Sequence, residues 1–403
     1  MIAAILTPQS ETTRGVSFAS GGCLPESTKK RHFDSCFSCT LDPFGLLDCL
    51  AVQALRRGGR LKALMLDDYM DLVYEDAPIP VPGPGEVRLR VKACGICGSD
   101  VRGLDGSTGR RRPPVIMGHE VSGVIDEVGD AIVDWKPGDR VTVDSTDACG
   151  ACWFCSRGRL NLCENRRVLG VSCGDYRRDG GFAEYLVVPQ RALYLMPEKV
   201  SFEQATMTEP LSVALHAITR APLQDADFAV VIGAGTIGLL ALQALRAEGF
   251  GAVVVVDVDL SRLELARRLG AHGVMRSDPT DVVAEIGRLT QGRGADIVFE
   301  AVGLDMTVKM AVGAARKGGS VVLIGNLATS VELALQTAVT RELSLFGSCA
   351  SSGEYPACLD LLAQGAIDTG PMITAVAPLS EGREWFERLY RREPGMMKVI
   401  LTP

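Results

Sequence analysis

The chain has no surplus of positive charge and no long uninterrupted apolar run. Its 42 lysines and arginines are outnumbered by 49 aspartates and glutamates, for a formal net charge of −7 over 403 residues. This balance disfavours nucleic acid or an anionic membrane as the main partner. The longest uncharged run is the 18 residues from Phe228 to Leu245, the minimum for a membrane span, but three glycines and a glutamine interrupt it. We therefore expect neither a nucleic-acid-binding nor a membrane protein.

Residues 1–60 lack a sustained hydrophobic periodicity of the kind that predicts a helix or a strand. The run from Ile2 to Leu6 is too short for a signal-peptide core, and scattered acidic residues argue against an organellar transit peptide. Cys36 and Cys39 are spaced as half of a metal site, but no second pair is placed to complete it. We predict an atypical, poorly ordered extension and a cytoplasmic protein. Our hypothesis is that the functional chain begins near Leu61.

From Leu61 onward the pattern divides the chain into two domains. Short alternating strands such as Glu86 to Lys92, separated by Gly, Pro and Asp turns, predict an irregular β-barrel. From about residue 211, apolar strands alternate with helical segments, which predicts a parallel sheet covered on both faces. One helix is expected to open with a capping box, Ser261-x-x-Glu264. We predict a barrel domain of residues 61–210 and 347–403, with the parallel-sheet domain (211–346) between them.

The sequence Gly233-Ala-Gly235-Thr236-Ile237-Gly238 follows a predicted strand and opens a helix predicted over residues 236–247, after which the next strand is predicted over residues 252–257. In a dinucleotide-binding turn the first glycine permits the sharp turn, the second lets the backbone approach a pyrophosphate, and the third allows close helix packing. Free backbone N–H groups at the helix start favour the anion. Asp257 follows 24 residues after the first glycine, suited to a ribose hydroxyl. This favours NAD over NADP, although Arg262 keeps NADP open.

Four of the thirteen cysteines lie within fifteen residues, with two residues between successive members of the first three. Four thiolates leave no open coordination position, which is typical of structural zinc. The sequence therefore predicts a structural zinc lobe over residues 149–163, held by Cys149, Cys152, Cys155 and Cys163.

A second set of metal ligands has a different composition. Cys94-Gly-Ile-Cys97-Gly-Ser99-Asp100 and Gly118-His119-Glu120 together contain a thiolate, an imidazole, a carboxylate and a hydroxyl two residues after the Cys97 thiolate. Catalytic zinc uses three protein ligands and keeps one position for substrate. We expect these motifs to meet at a catalytic zinc site.

These motifs, together with Glu209-Pro-Leu, resemble the zinc-dependent medium-chain alcohol and polyol dehydrogenases, most of all the sorbitol, threonine and butanediol dehydrogenase branch. The resemblance extends from about Leu61 to Pro403. It implies an α/β protein with a GroES-like β-barrel catalytic domain and a Rossmann domain with a doubly wound parallel sheet. It also implies two zinc ions per chain, one catalytic and one structural, and a homo-oligomer, either a dimer or a tetramer.

By the same resemblance, Cys97 and His119 are catalytic zinc ligands. The third is Glu120 or Glu209, and the two alternatives stay open. Ser99 is the first acceptor of the substrate proton, but Arg102 stands where many members carry a relay histidine, so the onward route is open. Arg110-Arg111-Arg112 lies between the two ligand motifs, either as a solvated turn or as a cationic rim that selects phosphorylated or carboxylated polyols.

The function implied is zinc-dependent transfer of a hydride from a secondary alcohol, a polyol or sugar alcohol that is neutral, phosphorylated or acidic, to NAD. A carboxylate in the zinc pocket fits a vicinal diol or a hydroxy amino acid. An activity like that of L-threonine 3-dehydrogenase or butanediol dehydrogenase is therefore the first alternative. A non-catalytic zinc- and nucleotide-binding protein is the remote one, and it predicts one zinc per chain rather than two.

Overall fold

The computed structural model describes residues 59–174, 176–223, 228–278 and 280–403. The predictions made for residues 1–58, including the Cys36–Cys39 pair, lie outside these ranges. Two sheets organise the described chain, one of seven strands and one of six. None of the helices in the described ranges is both long enough and apolar enough to cross a membrane.

The first part of the chain forms the seven-stranded sheet around a central strand, β3 (Glu86–Gly95), whose side chains alternate between core and surface. Three of its other six strands pair antiparallel with β3, and a separate three-stranded sheet packs beside them. The strands of this part are β1 Arg60–Asp68, β2 Asp71–Pro78, β3, β4 Val115–Ile116, β5 Glu120–Val128, β6 Arg140–Val143, β7 Thr146–Asp147, β8 Arg167–Val168, β9 Val171–Ser172, β10 Arg177–Arg178, β11 Tyr185–Pro189 and β12 Leu193–Leu195, and its α-helices are α1 Gly98–Gly103, α2 Phe202–Thr206 and α3 Thr208–Thr219.

The second part forms the six-stranded sheet, in which every neighbouring pair is parallel. Valines and isoleucines fill its central strands, because a sheet covered by helices on both faces buries every side chain. Its elements are β13 Phe228–Ile232, α4 Thr236–Ala247, β14 Ala252–Asp257, α5 Leu260–Arg268, β15 Gly273–Arg276, α6 Val282–Leu289, β16 Ala295–Glu300, α7 Asp305–Ala314, β17 Ala315–Leu323, α8 Leu335–Thr340 and β18 Ser344–Gly347. The strand order is β15-β14-β13-β16-β17-β18. The chain adds strands outward from β13 on one side and from β16 on the other, so the direction in which strands are added reverses between β13 and β16. Ligands bind at such a reversal in open α/β sheets.

The start of α5 differs from the sequence prediction. The carboxylate of Asp259 accepts hydrogen bonds from the backbone N–H groups of Ser261 (2.8 Å) and Arg262 (3.3 Å), so Asp259 caps the helix. Ser261 therefore lies inside the first turn, and Glu264 pairs with Arg267 instead of completing a capping box. The predicted box is wrong because the short Asp259 side chain caps the helix two residues earlier than Ser261 would.

The chain then returns to the first sheet. Strand β20 (Lys398–Thr402) pairs antiparallel with β3, with Leu401 opposite Cys94 and Ile400 opposite Gly95, and β19 (Ile373–Pro378) lies parallel to β20. The end of the chain therefore runs beside the strand that leads to Cys97. The elements of this part are α9 Tyr355–Ala363, β19 Ile373–Pro378, α10 Gly382–Tyr390 and β20 Lys398–Thr402, and the chain also has short 3-10 turns at Cys155–Arg157, Leu160–Leu162, Gln190–Ala192, Gly370–Met372 and Leu379–Glu381.

Candidate active site and dinucleotide-binding turn

Strand pairing brings the two ligand motifs together. β3 and β5 are antiparallel with Gly95 opposite Glu120, so the end of one strand meets the start of the other. Cys97 caps α1 just beyond β3, and His119 immediately precedes β5. The ligand atoms of Cys97, His119 and Glu120 all lie within 4.8 Å of one another. The structure therefore places a thiolate, an imidazole and a carboxylate around one point.

Glu120 is held by a buried lysine. Lys398 Nζ lies 2.6 and 2.7 Å from the two carboxylate oxygens and also donates to the Ile96 carbonyl at 3.2 Å. Both side chains are almost fully buried. A side chain at Gly95 would collide with the Glu120 carboxylate, so that glycine leaves the space the pair occupies. Burial by itself lowers the pKa of Lys398, but the charges of Glu120 and Cys97 raise it above its ordinary value.

Asp100 connects the other two ligands. Its Oδ2 accepts from the Cys97 N–H at 3.2 Å, and its Oδ1 lies 3.4 Å from His119 Nδ1. Burial by itself raises the pKa of Asp100, but the charges of His119 and Arg111 outweigh it and hold the pKa below its usual range. Burial likewise lowers the pKa of His119, yet Asp100 and Cys97 raise it well above 6.5. The pocket therefore favours a positive charge at the place where the three ligand atoms meet.

Zinc fits these donors. A buried thiolate, imidazole and carboxylate are the ligand types of catalytic zinc sites. Among the described residues, His119 Nδ1 has no hydrogen-bond partner within normal distance although it is buried, and Asp100 is the nearest carboxylate to it. A carboxylate beside one ring nitrogen is the usual support of a histidine that binds metal through the other.

Two predicted residues lie at the border of this cluster. Glu209, in the first turn of α3, is not one of the three whose ligand atoms converge. Burial raises its pKa to about 7; the charge of Glu120 adds to this rise, whereas His119 and Lys398 oppose it. Glu209 is thus close enough for the charges of the cluster to reach its carboxylate. Ser99 follows Cys97 by two residues, its N–H donates to Cys97 Sγ at 3.5 Å, and its side chain is exposed.

The four-cysteine lobe is assembled as the spacing predicts. The Sγ atoms of Cys149, Cys152, Cys155 and Cys163 all lie within 4.8 Å of one another. Zinc–sulfur distances of ~2.3 Å in a tetrahedron imply S–S separations of about 3.8 Å, so the cluster is compact enough for zinc. The backbone N–H groups of Ala151 and Cys152 lower the pKa of Cys149 to about 6, which favours a thiolate. In the described ranges these cysteines are free thiols.

The glycine-rich turn joins β13 to α4 at the sheet reversal. Gly233 has φ +101°, a conformation that side chains strain to adopt, and a Cβ there would meet Val302. A Cβ at Gly235 would meet no atom within 4 Å, whereas one at Gly238 would collide with the Gly233 carbonyl. The second glycine therefore presents open backbone, and the third packs α4 on the turn. The helix begins at Thr236, followed by Ile237. Its N-cap residue is Gly235, so no side chain caps the helix.

Asp257 ends β14 beside this turn. Its Oδ2 accepts from the Ala234 N–H at 2.6 Å and its Oδ1 from the Asp259 N–H at 2.9 Å. These bonds orient a carboxylate at the edge of the open turn. Arg262 follows on α5, with its guanidinium 3.9 Å from the Asp259 carboxylate and its side chain 39% exposed.

Three basic residues differ from the sequence predictions: two were expected in other roles, and the third was not predicted to belong to the site. Arg111 is buried and paired with Asp100, so the three consecutive arginines are neither a solvated turn nor a shared rim. Arg102, one turn after Ser99, donates to the Leu327 carbonyl at 3.0 Å and ties α1 to the segment after β17. Lys398 was missed as a site residue. The one available signal was a lysine opening an otherwise apolar strand, Lys398–Thr402.

A parallel nucleotide-binding sheet joined to a sheet that carries an open zinc-type ligand cluster defines a zinc-binding dehydrogenase. Residues 83–198 match the family model described as the alcohol dehydrogenase GroES-like domain, and residues 236–364 match the one described as zinc-binding dehydrogenase. Both predicted domain types are thereby confirmed.

Individual relatives agree. The chain is 32% identical over 348 residues to the sorbitol dehydrogenase of Bacillus subtilis strain 168, covering 85% of this chain and 97% of the relative. It is 33% identical to the D-arabitol-phosphate dehydrogenase of Enterococcus avium, covering 83% and 94%. A solved structure from Sinorhizobium meliloti 1021, described as a zinc-binding dehydrogenase bound to NADP, is 33% identical with a TM-score of 0.79, covering 86% and 100%. The chain belongs to the zinc-dependent medium-chain alcohol and polyol dehydrogenases, and it is an oxidoreductase.

Proposed function

We propose that the protein oxidises a secondary alcohol of a polyol or sugar alcohol with NAD, using one zinc ion for chemistry and a second for structure. The observation that carries this proposal is the convergence of Cys97, His119 and Glu120 within 4.8 Å, beside a fold that belongs to polyol dehydrogenases. Relatives named for sorbitol and for arabitol phosphate support a neutral or a phosphorylated polyol as substrate.

Cys97 and His119 would hold the catalytic zinc with one of two glutamates. Glu120 converges with Cys97 and His119, but Lys398 engages both of its oxygens, so the third ligand is Glu120 or Glu209. Glu120 would be available to exchange with Glu209 only by giving up part of its ion pair. When bound, zinc supplies Lewis acidity at this position. The four lobe cysteines would hold the structural ion.

Ser99 would accept the proton of the substrate hydroxyl. It is exposed and adjoins Cys97, so a substrate close to the cluster lies within its reach. Arg102 does not continue a relay from Ser99, because its guanidinium donates to the Leu327 carbonyl. We therefore propose that the proton leaves through water or the nicotinamide ribose. The remaining task of the protein is to align the carbinol carbon with the nicotinamide and to exclude water.

The cofactor would lie across the turn formed by Gly233, Gly235 and Gly238, with its pyrophosphate on the free N–H groups of Thr236 and Ile237. Asp257 would accept from the ribose hydroxyls, and its negative charge would repel the extra phosphate of NADP. Arg262 is the residue that would favour NADP. A relative with bound NADP makes it necessary to compare the two cofactors directly. The measurement is kcat/KM for NAD and for NADP at a saturating concentration of polyol.

The decisive experiment is a substrate panel with reduced nicotinamide followed by absorbance, accompanied by metal analysis. We expect turnover of sugar alcohols or their phosphates with NAD and two zinc ions per chain. Turnover of threonine or 2,3-butanediol instead would select the alternative activities. One zinc per chain with no turnover of any alcohol would contradict an enzyme and favour a zinc- and nucleotide-binding protein.

We also propose a domain division at residues 61–210 with 347–403, and 211–346, and a homo-oligomer. β18 is the last strand of the parallel sheet and Leu345 on it is 36% exposed. The nearby α8 segment exposes Leu333, Leu335 and Val339. An unpaired strand edge flanked by apolar side chains supports pairing with a second copy. Light scattering after size exclusion would test for a dimer or tetramer. A cluster of reduced thiols also fits the predicted cytoplasmic location.

A further inference from the structure

The three consecutive arginines 110–112 differ sharply in exposure. Arg110 and Arg112 are exposed, whereas the Arg111 side chain is 4% exposed. The stem of Arg111 crosses Gly103 at the end of α1, where an added Cβ would collide with the arginine Cγ. Because Gly103 has no side chain, it leaves the space through which the Arg111 side chain reaches the interior.

Inside, Arg111 meets the carboxylate that serves both proposed metal ligands. Its Nη2 lies 2.8 Å from Asp100 Oδ1, and Asp100 is completely buried. The same Oδ1 is 3.4 Å from His119 Nδ1, and Oδ2 accepts from the Cys97 N–H. One arginine therefore reaches a histidine and a cysteine of the cluster through a single carboxylate.

We propose that Arg111 is a positioning residue for the catalytic metal site. By holding the Asp100 carboxylate in one orientation, it keeps His119 turned so that the nitrogen away from Asp100 faces the metal. Without its arginine partner the buried carboxylate would turn away, which would release the histidine ring. This inference rests on the proposed function, because it takes Cys97 and His119 to be zinc ligands.

The electrostatics of the pocket agree with this role. Two of the carboxylates at the cluster, Glu120 and Asp100, each have a buried cation of their own, Lys398 and Arg111. With these two charges balanced in pairs, the charges of the Cys97 thiolate and the Glu209 carboxylate remain for the metal. A guanidinium stays charged in proteins and its N–H donors are fixed in one plane. Here Nη2 donates to Asp100 Oδ1 while Nη1 donates to the Arg110 carbonyl at 3.4 Å. Lysine at position 111 would keep the charge but lose that fixed geometry.

The experiment follows the release of zinc from the purified protein to a chromogenic chelator, with the lobe zinc as an internal reference. The variants are Arg111→Gln, Arg111→Lys, Arg111→Ala and Gly103→Ala, the last of which displaces the Arg111 side chain without removing it. Arg110→Gln and Arg112→Gln are matched exposed controls. Cobalt substitution supplies a second readout, because its absorption spectrum reports ligand geometry independently of turnover.

We expect Arg111→Gln to speed release of the catalytic zinc by about 10- to 100-fold, the usual cost of losing an outer support of a metal ligand. Lobe zinc should leave at the wild-type rate, Arg111→Lys should be intermediate, and both controls should stay within about twofold. Gly103→Ala should resemble Arg111→Gln, and it should have no added effect on Arg111→Ala, because the two changes act through one contact.

Wild-type release rates and cobalt spectra in Arg111→Gln and Gly103→Ala would overturn the inference, even if the free energy of unfolding fell. If Arg111→Gln does not fold, Arg111→Lys and Gly103→Ala decide the question by the same criteria. Failure of the proposed function is recognised separately. A wild-type protein with only lobe zinc contradicts that function before any variant is made, whereas two zinc ions with normal release in the variants contradicts only the role of Arg111.

Discussion

The four-cysteine lobe and the Cys97–His119 cluster use overlapping chemistry but are built in opposite ways. The lobe takes all four ligands from residues 149–163, and one of them, Cys149, is exposed. The open cluster takes its ligands from where two paired strands meet, with Cys97 just after β3 and His119 and Glu120 at the start of β5, and two buried ion pairs surround it.

The difference follows from what each site must do. Four thiolates complete the coordination of zinc by themselves, so a local loop suffices. An open site must leave a position vacant for substrate, and its few ligands cannot hold their own geometry. Lys398, 278 residues from Glu120 along the chain, and Arg111, 11 residues from Asp100, therefore stabilise the carboxylates of this site. The lobe is expected to matter for local stability and the cluster for reaction rate, which the following changes test in order of expected effect.

Cys163→Ser should abolish zinc binding by the lobe. Cys163 is buried and its Sγ accepts from the Cys149 N–H at 3.2 Å, and serine is not a comparable zinc ligand. Structural zinc contributes binding free energy on the order of 10 kcal/mol, which here closes the lobe. Metal analysis should fall from two zinc ions to one, and limited proteolysis should cut within residues 149–163. A protease-resistant lobe with two zinc ions would break the comparison.

Cys97→Ser should give the reverse result. Loss of the thiolate should remove the catalytic zinc and reduce kcat/KM for the best polyol by at least about 10⁴-fold, or ~5 kcal/mol of transition-state stabilisation. The urea midpoint should change little, because Cys97 lies at a partly exposed helix cap. Cys173→Ser, at a partly buried cysteine outside both clusters, is the control. Substantial unfolding in Cys97→Ser would show that the two sites are not functionally separate.

Lys398→Met should destabilise the fold by about 4 kcal/mol, because it leaves the Glu120 charge buried without a partner. The pair is almost inaccessible to solvent and lies between β5 and β20. Adding Glu120→Gln should restore most of the free energy of unfolding, since the double variant buries no net charge. Equilibrium urea denaturation measures both. If Lys398→Met alone is as stable as wild type, the lysine does not neutralise Glu120.

Asp144→Asn should have the smallest effect on the free energy of unfolding, and this effect should depend on pH. Asp144 lies where the chain leaves β6 for the lobe, and burial raises its pKa to about 6, with a further contribution from Glu354. The folded protein therefore binds this proton more tightly than the unfolded chain, whose pKa is near 3.8, so stability falls as pH rises from about 4 to 6 and stays lower above it.

Asparagine carries no charge, and its side-chain oxygen can still accept from the Thr146 N–H, a bond of 2.8 Å in the native protein. We therefore expect Asp144→Asn to be more stable than wild type by on the order of 2 kcal/mol at pH 8, with the advantage vanishing near pH 4. Urea denaturation across this range measures it. An advantage that is equal at all pH values would exclude titration of Asp144 as the cause.

Much of the fold and of the candidate site could be predicted because its signals are local. The helix Thr236–Ala247 and the strand Ala252–Asp257 have the predicted bounds, and the three glycines of the turn have the conformations that their roles require. The cap of α5 was mispredicted although its signal is local, because Asp259 starts the helix two residues before Ser261.

The sequence by itself determined the ligand types, the four-cysteine spacing and the dinucleotide turn, because each depends on residues that are near neighbours along the chain. Only the tertiary structure decided which charges meet. Lys398 reaches Glu120 from 278 residues away, and Arg111 turns inward while its two neighbours face solvent. Such pairs depend on strand register and on the space left at Gly95 and Gly103. Burial, which makes a paired charge stabilising and an unpaired one costly, arises only when the sheets close around it.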